Sequence, residues 1–156
     1  MEIINIKNND LFLNEYISLC QKEWGSPKSK HGIKEYLNKK KEQILTEDKV
    51  ISILGLVDND ILIGFISLFK YDGDEKRELT PWYATMYIKE AYRNNGYSKI
   101  LNDAILNKAS KLGYYRVYLK TNLKNYYEKF GAKYIQKLTN GESLYYIDLL
   151  NKSFML

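Results

Sequence analysis

Apolar residues along this chain recur with two periods, and the switches between them mark the elements. Glu2 to Ile6 reads as a short strand. After Asp10, a residue able to cap a helix, Phe12, Tyr16, Leu19 and Cys20 fall on one helical face, and Gly25-Ser26-Pro27 ends the run. A second helix is predicted from Gly32 to Thr46, with Ile33, Tyr36, Leu37, Ile44 and Leu45 on one side and lysines on the other. Val50 to Val57 and Ile61 to Phe69 are nearly continuous apolar runs joined by Asp58-Asn59-Asp60. That pattern suits a hairpin at the centre of a sheet, buried on both faces.

Asp72 to Leu79 is a charged loop, and Trp82 to Ile88 is the next strand. A helix with Ile100, Leu101, Ala104, Ile105, Ala109 and Leu112 as its buried stripe follows and stops at Gly113. Tyr114 to Lys120 reads as a strand, Asn122 as an N-cap and Leu123 to Phe130 as a short helix ended by Gly131. A hairpin of Lys133 to Leu138 and Leu144 to Leu149, turning at Asn140-Gly141, closes the pattern. The order β-α-α-β-β-β-α-β-α-β-β predicts a mixed α/β fold: one sheet of about seven strands flanked by four helices, in a single domain spanning 1–156.

Composition narrows the function. With 156 residues, 45% of them hydrophobic, the chain can bury a core without metal or disulfide staples. No apolar run approaches the about 20 residues of a membrane span, and the N-terminus lacks the basic start of a signal peptide. A lone Cys20 permits no intramolecular disulfide, so a cytoplasmic location is expected. Cys20 and the single His31 also offer no zinc cluster or Cys–His–Asp triad, and no metal is expected. The net charge of +5 raises nucleic-acid binding as a minor alternative. The lysines are dispersed, however, and Lys39-Lys40-Lys41 reads as a solvated helix face.

Chemistry concentrates between residues 86 and 98. A strand ending at Ile88 breaks into Arg93-Asn94-Asn95-Gly96-Tyr97-Ser98, where a helix begins. A strand, a glycine turn and a helix N-terminus can present free backbone N–H groups, which bind phosphate oxygens with help from the helix dipole. The spacing is neither the dinucleotide fingerprint nor a P-loop. Read alone it supports a phosphorylated ligand or simple backbone geometry at Gly96.

The element order, this turn and Asn125-Tyr126-Tyr127-Glu128-Lys129-Phe130-Gly131-Ala132 together resemble the GNAT superfamily, which transfers acetyl groups from acetyl-CoA to amines. The likeness covers essentially the whole chain. Arg93 to Tyr97 match the family's pyrophosphate loop, and Ser98 departs at its last small position. Tyr127 to Gly131 match its Tyr-Glu-Lys-x-Gly signature, with Ala132 in place of the usual Phe. The resemblance implies a GNAT-like, largely antiparallel sheet and acetyl-CoA or coenzyme A as cofactor. It implies CoA contacts from Met86, Tyr87 and Ile88 along the strand edge, from Arg93, Asn94, Asn95, Gly96, Tyr97 and Ser98 in the loop, and from Asn122 and Lys129.

By the same resemblance Tyr127 lies near the CoA sulfur, where a phenol, protonated at neutral pH, can act as general acid. Tyr126 is the fallback. For the general base, Glu78 at the head of the fourth strand is named, and Glu23 could also serve. Trp24, Trp82 and Tyr83 are expected to line an acceptor pocket. Asp72, Asp74, Glu75 and Glu78 would form an acidic rim attracting a cationic amine. The expected activity is N-acetyl transfer to a primary amine, small-molecule or peptidyl, by direct attack in a ternary complex. The rival of another class is a non-catalytic acyl-CoA-binding regulatory module. A homodimer through the C-terminal hairpin is expected as a possible assembly, with no nucleic-acid or membrane partner.

Overall fold

The structure is a computed structural model that describes residues 1–26 and 29–149, with backbone alone at 30 and 31. Pro27, part of the stop expected after the first helix, and the 150–156 end of the expected domain lie outside the described residues. Seven strands, β1 (Glu2–Asn5), β2 (Val50–Asp58), β3 (Ile61–Phe69), β4 (Trp82–Ile88), β5 (Arg116–Thr121), β6 (Lys133–Lys137) and β7 (Ser143–Asp148), form one sheet in the order β1-β2-β3-β4-β5-β7-β6. Every neighbouring pair is antiparallel except β4–β5.

Among the described residues three α-helices flank it: α1 (Asp10–Trp24), α2 (Lys30–Thr46) and α3 (Tyr97–Lys111). The predicted fourth helix is only a 3-10 turn, Tyr127–Phe130. Asn125, left-handed at φ 57°, interrupts the helical path before Tyr127, and Gly131, left-handed at φ 90°, ends the turn. The α1 cap also moves by one residue. Asn9 accepts the N–H of Phe12 at 3.1 Å, and Asp10 becomes the first helical residue, where its charge suits the dipole.

The doubly apolar β2 and β3 runs are explained by two cores, one on each face of the sheet. Ile63, Ile66 and Leu68 of β3 pack with Leu101, Ile105, Leu106 and Ala109 of α3. Leu62, Phe65 and Phe69 pack on the other face with Leu13, Tyr16 and Ile17 of α1 and Ile44 of α2. Gly64 sits where β3 meets the end of β4. A Cβ there would lie 2.5 Å from the carbonyl oxygen of Tyr87 and 2.7 Å from Ile88 Cδ1. Because the nearest atom is backbone, Gly64→Ala is expected to destabilise by about 1–3 kcal/mol, read as a lowered chemical-denaturation midpoint. An unchanged midpoint would show that β4 moves freely.

Candidate active site

The parallel join between β4 and β5 is one residue pair long, Trp82 with Tyr118, supported by Tyr118 N–H donating to the Pro81 carbonyl at 3.0 Å. Beyond Trp82 the strands part, and the side of β4 facing β5 has no strand partner. A β-bulge sharpens the divergence: Phe65 pairs with Tyr87 and Ser67 with Ala84, so two β4 residues oppose one of β3. Thr85, in the bulge, has φ 52°, which strains a β-branched residue. Its hydroxyl meets that of Ser67, which bonds Tyr16 Oη at 2.7 Å. This buried hydroxyl chain fixes the bulge from below.

The opening between the strands is the waist of a cleft of about 750 Å³ that passes through the sheet. On the α1–α2 side it is walled by Tyr16, Cys20, Trp24 and Lys40, and on the α3 side by Tyr83, Met86 and Tyr127. Asn122 and Leu123, exposed on the loop after β5, stand at its mouth.

Tyr127 is half-buried, with its ring edge-to-face on Tyr83 at 5.8 Å and on Tyr126 at 4.8 Å. Burial, with Tyr126 nearby, pushes its phenol up to about 12. The hydroxyl therefore keeps its proton through any physiological pH. Tyr83 is 3% exposed, its hydroxyl is buried without a partner, and burial raises its pKa. Cys20 lines the cleft, but burial pushes its thiol up to about 12, which leaves no thiolate for a covalent acyl step.

At the open end of β4 the chain turns through a 3-10 segment, Glu90–Tyr92, into the N-terminus of α3. Arg93 Nε donates to the Ile88 carbonyl at 2.8 Å, and its guanidinium lies 5.6 Å from the Tyr87 ring. Asn95 Nδ2 donates to the carbonyls of Tyr92 and Arg93 at 3.1 Å each. Arg93 and Asn95 thus shape the turn. Asn94 and Gly96 adopt left-handed φ values of 65° and 77°. No side chain caps α3, so the N–H groups of Gly96, Tyr97, Ser98 and Lys99 are without helix partners and open to a ligand.

These observations test whether a CoA-type ligand suits the site. An uncapped helix start suits a pyrophosphate, the unpaired β4 edge suits the amides of an extended arm, and the cleft is large enough for an acyl thioester and an acceptor. The residues fit.

Other expected site residues are placed as follows. Met86 and Tyr83 wall the cleft, and Trp24 is 54% exposed at its edge. Tyr87 faces the opposite core, stacked on Phe65 at 5.4 Å with Trp24 at 6.3 Å. Ile88 packs against the α3 core. The Lys129 ammonium rests 4.1 Å from the Tyr126 ring centre, outside the cleft lining.

Three expectations are corrected. Trp82 is fully buried, with its indole N–H on the Leu79 carbonyl at 2.9 Å, so it is a core residue of the α1–α2 face and does not line the pocket. Glu78 is exposed and outside the cleft lining, because the 72–79 loop turns away before β4 begins. The acidic rim does not assemble: Asp74 pairs with Arg77 at 3.6 Å, Glu75 accepts from Thr139, and only Asp72 reaches the cleft, beside Lys120. Lys40 was also missed. It lies on the Tyr36–Lys40–Ile44 stripe of α2 and faces the cleft, while Lys41 pairs with Asp10.

A sheet parted at a parallel join, an uncapped helix start at the open end of β4 and a protonated tyrosine lining the cleft form a site that suits an acyl-CoA ligand. The sequence matches the Acetyltransferase (GNAT) family over residues 13–132, and the chain belongs to that family. It is a GNAT-type N-acetyltransferase with acetyl-CoA as its cofactor. A search of curated proteins returned no match.

Solved structures share the fold. An aminoglycoside 6'-N-acetyltransferase complexed with coenzyme A is similar at TM-score 0.71 and 17% identity, covering 96% of this chain and 97% of that one. An N-acetyltransferase from Staphylococcus aureus Mu50 is similar at TM-score 0.69 and 18% identity, covering 95% and 98%. The PaiA N-acetyltransferase from Thermoplasma acidophilum, in complex with coenzyme A, gives TM-score 0.64 and 19% identity, covering 95% and 99%. Among the described residues, no helix is long and apolar enough to cross a membrane.

Proposed function

We propose that the protein acetylates a primary amine, small-molecule or peptidyl, by direct attack in a ternary complex, with Tyr127 as general acid. The observation that carries this reading is a cleft-facing phenol held protonated opposite the unpaired edge of β4. When bound, acetyl-CoA supplies the acetyl group as an activated thioester. The N–H groups from Gly96 to Lys99 hold the phosphates, while Asn94 and Gly96 set the turn that aims them. Met86 and the unpaired edge of β4 would hold the cofactor's arm. Tyr127 Oη keeps a proton for the leaving sulfur, whose reference pKa as a thiol is about 8.5, well below that of the phenol. The Cys20 thiol, held protonated by burial, favours attack by the amine itself over relay through that cysteine.

The base is a carboxylate of the cleft acting through water. Among the described residues these are Glu23, Asp72 and Glu142. Asp72 is raised from the usual carboxylate range by burial, against the pull of Lys120 and Lys49.

A pH profile follows. An alkyl ammonium with a reference pKa of about 10.4 must lose a proton before attack, so kcat/KM climbs as pH rises. Tyr127, pushed up to about 12, remains in its acid form throughout that climb. No descending limb from this residue is therefore expected below pH 10, its ordinary value. Initial rates from pH 6 to 10, a window of roughly four units below the lysine-type reference, check it; a downturn near neutrality that Tyr127→Phe removes would contradict it.

An amine panel with acetyl-CoA and thiol detection tests the activity and separates it from the binding-module reading. Amine-dependent thiol release is expected. CoA binding with no release from any amine would favour the regulatory module.

A further inference from the structure

Lys40 and Lys49 both line the α1–α2 side of the cleft and both are half-buried. Each repels the other: burial first, and then the Lys49 charge, lower the Lys40 pKa. Three other half-buried lysines are paired with carboxylates. Lys41 pairs with Asp10, Lys89 with Glu15, and Lys120 with Asp72. Among the described residues no carboxylate lies within ion-pair distance of Lys40 or Lys49. Glu47 attracts Lys40 only from farther off, and the Lys49 ammonium lies 5.2 Å from the Phe69 ring and 5.7 Å from that of Tyr71.

The cleft carboxylates relieve the pair only in part, since Asp72 attracts Lys49 from beyond ion-pair distance. Asp72 is engaged by Lys120, which also donates to the Asp72 carbonyl at 2.9 Å, and Glu142 accepts from Asn140 at 2.7 Å. Glu23 stands at the rim beside Trp24. Two like charges held in a partly dry wall are costly unless an anion completes them. They also disfavour a polycation at that end of the cleft by like-charge repulsion.

We infer that the acceptor is an amine that also carries an anionic group, carboxylate or phosphate, which docks between Lys40 and Lys49 while its amine reaches the β4–β5 waist. This rests on the acetyl-transfer reading and deepens it by naming the substrate class. An acceptor with an anionic end matches the cationic wall of the cleft under α2.

Matched pairs test it: amino acids against their amides, phosphoethanolamine against ethanolamine, and spermidine as a polycation. The anionic member of at least one pair is expected to show kcat/KM about tenfold or more above its neutral partner, the effect of one charge-assisted contact. Whichever pair responds identifies the anion. Lys49→Gln is expected to lower that preference about tenfold and Lys49→Glu to invert it. Equal rates within both pairs, a preference for spermidine, or a preference unmoved in both variants would overturn the inference.

Absence of turnover with every amine would overturn the acetyl-transfer reading instead. Titrating the same pairs into the CoA-loaded protein then decides the anion site on its own. Tighter binding of an anionic member supports it, and equal binding or none overturns it.

Discussion

Tyr127→Phe is expected to cut kcat by about 10²–10⁴-fold, the range assigned to a positioned general acid, while leaving the CoA dissociation constant unchanged. The substitution removes one oxygen and keeps the ring, so the edge-to-face contacts with Tyr83 and Tyr126 survive. Among the described residues the hydroxyl has no hydrogen-bond partner that folding would miss. A purely structural tyrosine would therefore give a near-silent phenotype, and that result would remove Tyr127 from the chemistry. A loss of turnover accompanied by an equal loss of CoA affinity would place it in binding. Tyr126→Phe is the control: its ring packs on Tyr127 and Phe130, and its loss of hydroxyl should matter far less.

Gly96→Val is expected to weaken CoA by about 10–100-fold, from loss of at least one charge-assisted phosphate contact at about 1.5–3 kcal/mol. Gly96 has φ 77°, a conformation that a β-branched residue resists. Space is not the obstacle, because a Cβ there meets nothing within 4 Å. The chain would relieve the strain by rotating the peptide that aims the first free N–H groups of α3. Gly96→Asn, which tolerates the left-handed region, should retain more affinity than Val. Isothermal titration with CoA reads both variants, and an undiminished Val variant would show that the ligand does not use this turn.

Much of this was legible in the sequence. The β4 run, the turn at Gly96 and part of the α3 stripe were readable because each is local, but Ile100 and Leu112, expected inside, are 42% and 48% exposed while Leu106 is buried instead. The hairpin at the sheet centre followed from β2 and β3 being apolar on both faces. What failed was what depends on distant contacts. Trp82 looks like a pocket aromatic until the sheet is closed over it, and Glu78 looks close to β4 until the loop's own turns carry it away. The acidic rim dissolved because Asp74, Glu75 and Asp72 each found a different partner. Lys40 was hidden inside Lys39-Lys40-Lys41, although its spacing of four from Tyr36 and from Ile44 put it on the inward stripe of α2.

Acetyl transfer is tested most directly by product analysis of acetyl-CoA incubated with anionic and neutral primary amines, counting free thiol and N-acetylated amine together. The predicted result is one thiol released for each amine acetylated, at a rate that collapses in Tyr127→Phe. Tight CoA binding with no amine-dependent thiol, or release that Tyr127→Phe leaves intact, would contradict it.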